Sequence, residues 1–138
     1  MERISIRVVS VPDKKSTQHL IKWFCLAFGL ESDNSSDHGI EEELLGKFIT
    51  AAYADRGISS SEIKLKNKIA RSTVIYHLNR LMDAGLIVKR GRRYYLRATD
   101  MYRSIEEIEY DVDREMRRML DTAREFDRLM AVKLKRPR

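Results

Sequence analysis

One cysteine, Cys25, stands among 138 residues, so no intramolecular disulfide can form and a disulfide-stapled secreted scaffold is excluded. The longest apolar run, Trp23 to Leu30, is far shorter than the ~20 residues that span a bilayer. The opening Met1-Glu2-Arg3-Ile4 has no signal-peptide pattern. The three histidines, His19, His38 and His77, are scattered, and no Cys, His and carboxylate spacing suggests a metal site. Six glycines include no phosphate-cradling loop, and there is no GxSxG and no Cys-His setting for nucleophilic catalysis. An enzyme is disfavoured, and no metal, cofactor or membrane partner is expected. These absences point to a small, soluble, cytoplasmic chain of one domain with an appendage, at roughly 150 residues per domain.

What is present is charge, unevenly placed. Lys and Arg number 27 against 21 Asp and Glu, for a net +6, and the 35% charged fraction exceeds the usual ~25%. Residues 1–55 carry a net −3 and residues 98–138 a net 0. Residues 56–97 hold eleven basic side chains against Glu62 and Asp83, net +9. Such a block is the electrostatic footprint of a polyanion-binding module.

Patterning supplies the elements. Residues 3–11 begin by alternating polar and apolar, which predicts a short strand ended by Pro12. Ser16 or Thr17 can cap a helix to about Gly29 that is apolar nearly all round, with Trp23, Phe24 and Phe28 among its buried or intersubunit positions. Residues 31–39 read as a polar loop. A second helix is predicted over Ile40–Asp55, with Glu41, Glu42 and Glu43 favoured in its first turn by the helix dipole, and Gly57 placed just past its end. Ser59 and Glu62 fit a capping box for a third helix over 60–67. A fourth helix spans Arg71–Ala84 and stops at Gly85, with Val74, Leu78, Leu81 and Met82 inward. Two β-prone runs around Gly91 predict a hairpin over 86–97.

The last segment, about Met101 to Leu134, reads as one long helix capped by Thr99 or Asp100. Its stripe, Ile105, Ile108, Val112, Met116, Met119, Ala123, Phe126, Met130 and Leu134, averages 3.6 residues per step, which favours a nearly straight helix over a long left-handed coiled coil. At ~1.5 Å per residue it reaches ~50 Å, longer than a small domain is wide. Its apolar face therefore needs a partner, expected to be a second copy in a two-fold homodimer, the alternative being a helix that folds back on its own domain or breaks in two. The basic tail Lys133–Arg138 is expected to be disordered and solvated, with phosphate contact as the alternative.

The order helix, helix, helix, hairpin over 40–97 is that of a winged helix-turn-helix. The run Arg71-Ser72-Thr73-Val74-Ile75-Tyr76-His77-Leu78-Asn79-Arg80-Leu81, followed by Asp83-Ala84-Gly85-Leu86-Ile87 and by Arg90-Gly91-Arg92-Arg93-Tyr94-Tyr95-Leu96, resembles the recognition helix and wing of ArsR-like regulators of prokaryotes, often archaeal. The resemblance covers about residues 40–100 and is strongest at 71–96. It implies a mainly α fold with a small β-hairpin wing. The organisation would be an N-terminal strand and helix over 1–39, a DNA-binding domain over 40–98 and a dimerisation helix over 99–138. The chain departs from the family at Lys64 and Lys68, where alanine and glycine are usual, and at Ala70, where serine often caps. That implies an irregular 60–67 helix or a longer turn.

A major groove admits one helix. With Val74, Leu78 and Leu81 inward, the outward positions are Arg71, Ser72, Thr73, Tyr76, His77, Asn79 and Arg80. Ser72 and Thr73 suit phosphates or bases, Tyr76 and Arg80 have the reach for base edges, and Arg71 suits a phosphate clamp. Arg90, Arg92 and Arg93 would lie at the wing tip, and Lys64, Lys66 and Lys68 would add backbone contacts. Ile108, Val112, Met116, Met119, Phe126 and Met130, with Trp23, Phe24 and Phe28, are the expected dimer contacts. The function read here is sequence-specific regulation of transcription on double-stranded DNA, near the nucleoid. The alternative is a protein-interaction or chromatin module without sequence-specific binding.

Overall fold

The computed structural model describes residues 3–30 and 39–134. Residues 31–38 of the polar loop and 135–138 of the basic tail fall outside the described residues. The chain divides into two compact units, Met1–Ile105 and Glu106–Arg138. It is mainly helical, with a small antiparallel sheet and a long C-terminal helix. Among the described residues, no helix is long and apolar enough to cross a membrane.

Helix α1, Thr17–Ala27, starts at Ser16, whose hydroxyl accepts from the His19 N–H at 3.2 Å. Cys25 and Phe28 are buried within the chain, so Phe28 is core rather than a contact left for a second copy. Trp23 and Phe24 are half-buried and meet edge to face, and Trp23 Nε1 donates to the Ser10 carbonyl at 2.7 Å. The strand expected over residues 3–11 does not form. No sheet edge receives it, and its N–H groups bond helix ends instead. Arg3 donates to the Asp83 carbonyl at 2.6 Å, and Arg7 donates to the Ala27 carbonyl at 2.7 Å.

Helix α2, Ile40–Tyr53, follows Gly39, whose φ of 82° is left-handed. Leu44, Leu45 and Phe48 are fully buried along it, at the helical spacing that makes one apolar face. Its exit differs from expectation. Asp55, not Gly57, takes the left-handed position, at φ 53°. Gly57 is required for another reason: a Cβ there would lie 2.6 Å from the Tyr95 ring.

Strand β1, Ile58–Ser59, comes next, and it was not foreseen. The expected third helix is reduced to one 3₁₀ turn, Ser60–Glu62, followed by a chain without regular structure to Ala70. The intended capping pair meets side chain to side chain, the Ser59 hydroxyl donating to Glu62 Oε1 at 2.9 Å, and caps no backbone group. Glu62 is drawn instead to Arg93, at 3.1 Å. The irregular stretch is pinned where the Lys66 N–H donates to Glu43 Oε2 at 2.7 Å.

Helix α3, Arg71–Asp83, ends before Gly85, whose φ of 84° reverses the chain. Strands β2, Ile87–Arg90, and β3, Arg93–Leu96, form the expected hairpin around a two-residue Gly91-Arg92 turn, Gly91 at φ 62°. The sheet order is β1-β3-β2, all antiparallel, with Ile58 opposite Tyr94 and Ile87 opposite Leu96. Ile87, Tyr94 and Leu96 face inward, and Phe48 meets Tyr94 at 6.4 Å between ring centroids. Leu78, Leu81 and Leu86 complete this core. At ~1.5–3 kcal/mol for each large side chain fully buried, this cluster is what holds α2, α3 and the sheet together.

Helix α4, Met101–Lys133, is 33 residues long. Asp100 caps it, with Oδ1 accepting from the Arg103 N–H at 2.8 Å. That backbone bond holds the Asp100 carboxyl below its ordinary 3.8. Ser104 is buried, donating to the Asp100 carbonyl and accepting from the Ala98 N–H. In the second unit, four acid-to-arginine pairs recur at i,i+3: Asp111–Arg114, Glu115–Arg118, Asp121–Arg124 and Glu125–Arg128. Hydrogen bonds from Arg128 lower the Glu125 carboxyl, and the same bonds raise the arginine.

Candidate nucleic-acid interface

The inner stripe of α3 sets what the helix can offer outward. Val74, His77, Leu78 and Leu81 are buried, at spacings of three, one and three. His77 therefore belongs to the packed face and is fully buried, not outward as its polarity suggested. Its Nδ1 lies 3.0 Å from Oε1 of Glu41, a carboxylate only 3% exposed in the first turn of α2. Arg80 is also turned inward. Its Nη1 is 2.9 Å from the same Glu41 oxygen, and its Nη2 donates to the Gly29 carbonyl at 3.2 Å. A buried carboxylate needs a partner, and α3 supplies two. Neither His77 nor Arg80 is left to read a base. The helical spacing 74, 77, 78, 81 was the signal that could have found His77, while Arg80 sits at the flank and needed Glu41 to claim it.

What remains outward is a narrow strip. Ser72, Tyr76 and Asn79 are exposed and lie four and three residues apart on one face of α3, with Thr73 half-buried beside them. Tyr76 is 55% exposed, and its ring meets the His77 ring edge to face. At the head of this strip the helix begins from Ala70, which offers no side-chain cap. Arg71 and Ser72 at its start are exposed, and with no side-chain cap their N–H groups are left for an outside acceptor, the arrangement that receives an anion at a helix N-terminus. Arg71 holds itself in place by donating to the Ser60 hydroxyl at 3.2 Å.

Exposed cations precede and follow α3 along the chain. Lys64, Lys66 and Lys68 are exposed on the irregular chain before α3. Arg92 is exposed in the hairpin turn, and Arg90 stacks over the Tyr95 ring at 5.3 Å. Arg93 is half spent, since its Nη1 meets both Glu62 and the Gly57 carbonyl, each at 3.1 Å. Two further basic residues had not been singled out. Lys89 is exposed on β2, over the Tyr94 ring, and Arg56 is exposed just past α2. Their membership in the +9 block was the available signal.

The expected dimer contacts divide. Ile108 is buried and Val112 half-buried within the single chain. Met116, Met119 and Phe126 are exposed, and Met130 is half-buried. Leu120, four residues after Met116, joins the exposed stripe and was missed. Among the described residues, no group of three or more His, Cys, Asp or Glu could hold a metal ion. No family model, curated protein or solved structure matches this chain.

Proposed function

We propose that this chain binds double-stranded DNA as a homodimer and regulates transcription, in the manner of the ArsR-like winged helix-turn-helix regulators it resembles. In this reading α3 is the recognition helix and the β2–β3 hairpin is the wing. The observation that carries the proposal is the uncapped start of α3 in a stretch whose exposed cations the protein does not neutralise. Lys64, Lys66, Lys68, Arg71, Arg90 and Arg92 are exposed in this stretch, and of its two acids Glu62 is engaged with Arg93. Phosphates would dock on these groups and on the first N–H groups of α3, fixing the register. Ser72, Tyr76 and Asn79 would then meet base edges, while Arg80 and His77 hold the helix from behind through Glu41.

One observation favours a second reading. The helix that usually crosses the backbone ahead of a recognition helix is only the Ser60–Glu62 turn here. A module that grips duplex by its backbone without choosing a sequence would need no more. Selection of bound sites from random duplexes, followed by competition against bulk duplex, separates the two. An enriched motif that outcompetes bulk DNA, and loses that advantage in Asn79→Ala, supports the regulator. Binding with no enriched motif supports the second reading, and no binding at all removes both.

A further inference from the structure

The second unit carries an apolar stripe that its own unit does not cover. Met116, Met119, Leu120, Phe126 and Leu134 are between 49 and 60% exposed along α4. The arginines of the four acid-to-arginine pairs flank this stripe, and Asp127 is the acid that interrupts it.

The stripe is nearly symmetric about Ala123. If the helix is laid against a reversed copy of itself with Ala123 facing Ala123, Val112 comes opposite Leu134, Met116 opposite Met130, and Leu120 opposite Phe126. Only Met119 falls opposite a polar residue, Asp127. A parallel pair needs no such symmetry, so its presence is informative.

Charge points the same way. Residues 106–115 hold six acidic side chains and one basic. Reversal about Ala123 places Lys133 of each copy opposite Asp113 in the acidic segment of the other. A parallel pair would lay the acidic segment 106–115 on itself, which opposes pairing.

We infer that the exposed face of α4 is a self-pairing surface, occupied by α4 of a second copy running antiparallel with its midpoint at Ala123. This rests on the homodimer part of the reading above and not on DNA binding. Its consequence is geometric. At ~1.5 Å per residue, the two Glu106 positions stand about 50 Å apart at opposite ends of the paired helices, whereas parallel pairing would bring them side by side.

Cysteine cross-linking of the full chain tests it. Buried Cys25 leaves the unaltered protein as the unreactive control. Ala123→Cys, Met116→Cys and Met130→Cys are each treated with a short thiol-to-thiol cross-linker, and mass in solution is followed by light scattering. The expected result is a dimer mass for the unaltered chain and covalent dimer from Ala123→Cys alone. Met116→Cys and Met130→Cys stay uncoupled singly and couple when mixed. Coupling of Met116→Cys with itself as readily as Ala123→Cys would show a parallel pair and overturn the inference while leaving the homodimer standing. A dimer whose Ala123→Cys form does not couple would refute the midpoint. A monomer mass would remove both. None of these outcomes touches duplex binding, which is measured separately.

Discussion

Residues 56–97 and residues 106–134 are both dense in charge, but they handle it in opposite ways. In the first, eleven basic side chains face two acids, and most of the cations are left to solvent. In the second, four acids are each paired with an arginine three residues on along a single helix. Apolar side chains show the reverse contrast. Leu78, Leu81, Leu86 and Tyr94 are buried beneath the basic surface, whereas Met119, Leu120 and Phe126 stand exposed between neutralised flanks. Unsatisfied charge in one unit and unsatisfied apolar surface in the other mark two different appetites, one for a polyanion and one for another helix.

Stability is where the contrast should be widest. Leu78→Ala removes a fully buried side chain and should cost about 2–5 kcal/mol in a denaturant melt. Leu129→Ala, at a site 54% exposed and off the apolar stripe, should stay within about 0.5 kcal/mol. Equal costs would mean that the core is not where we place it.

Glu41→Gln comes next. It leaves Arg80 and His77 facing a neutral amide and should cost about 3 kcal/mol, because a buried pair is broken from one side. A melt unchanged by this substitution would contradict the role of Glu41 as the anchor of α3.

A smaller effect separates two neighbouring arginines. Arg92 is free in the turn, while Arg93 is tied to Glu62 and the Gly57 carbonyl. Arg92→Ala should lower the slope of log affinity against log salt by about one for each protomer bound, and Arg93→Ala by clearly less. Equal losses would refute the distinction.

The smallest effect lies in the neutralised helix. Asp100 and Glu125 have carboxyls lowered below the unfolded values of 3.8 and 4.5. A lowered carboxyl contributes stability that is present above the unfolded value and lost as pH falls through the folded one. Helix α4 should therefore keep its helicity through pH 4.5 and 3.8 and fray only below. Titration of the two carboxyls by NMR at or above those ordinary values would contradict the capping and pairing described.

Much of this was legible in sequence, because it rests on local periodicity. The stripes that set α2, α3 and α4, the glycine at the hairpin turn and the stop at Gly85 all act within a few residues. What failed depended on distant partners. Residues 3–11 alternate as a strand does, but no edge was there to take them, and helix-end carbonyls did. Ser59 and Glu62 have the spacing of a capping box, but Arg93 drew the carboxylate away. Gly57 looked like a helix stop and is in fact the floor beneath Tyr95. His77 and Arg80 were assigned outward by polarity, although position 77 lies on the inner stripe and a glutamate 36 residues earlier had already claimed both. The outward strip Ser72, Tyr76 and Asn79, and the cations before and after α3, needed only the helical period and the charge count.

The central claim is that residues 56–97 present unneutralised cations to phosphate, and its most direct test is the affinity for duplex DNA followed as salt is raised. If the six exposed cations Lys64, Lys66, Lys68, Arg71, Arg90 and Arg92 each neutralise a phosphate, each protomer should contribute about a thousandfold loss of affinity between roughly 50 and 200 mM salt. An affinity that stays flat across that range would contradict the account.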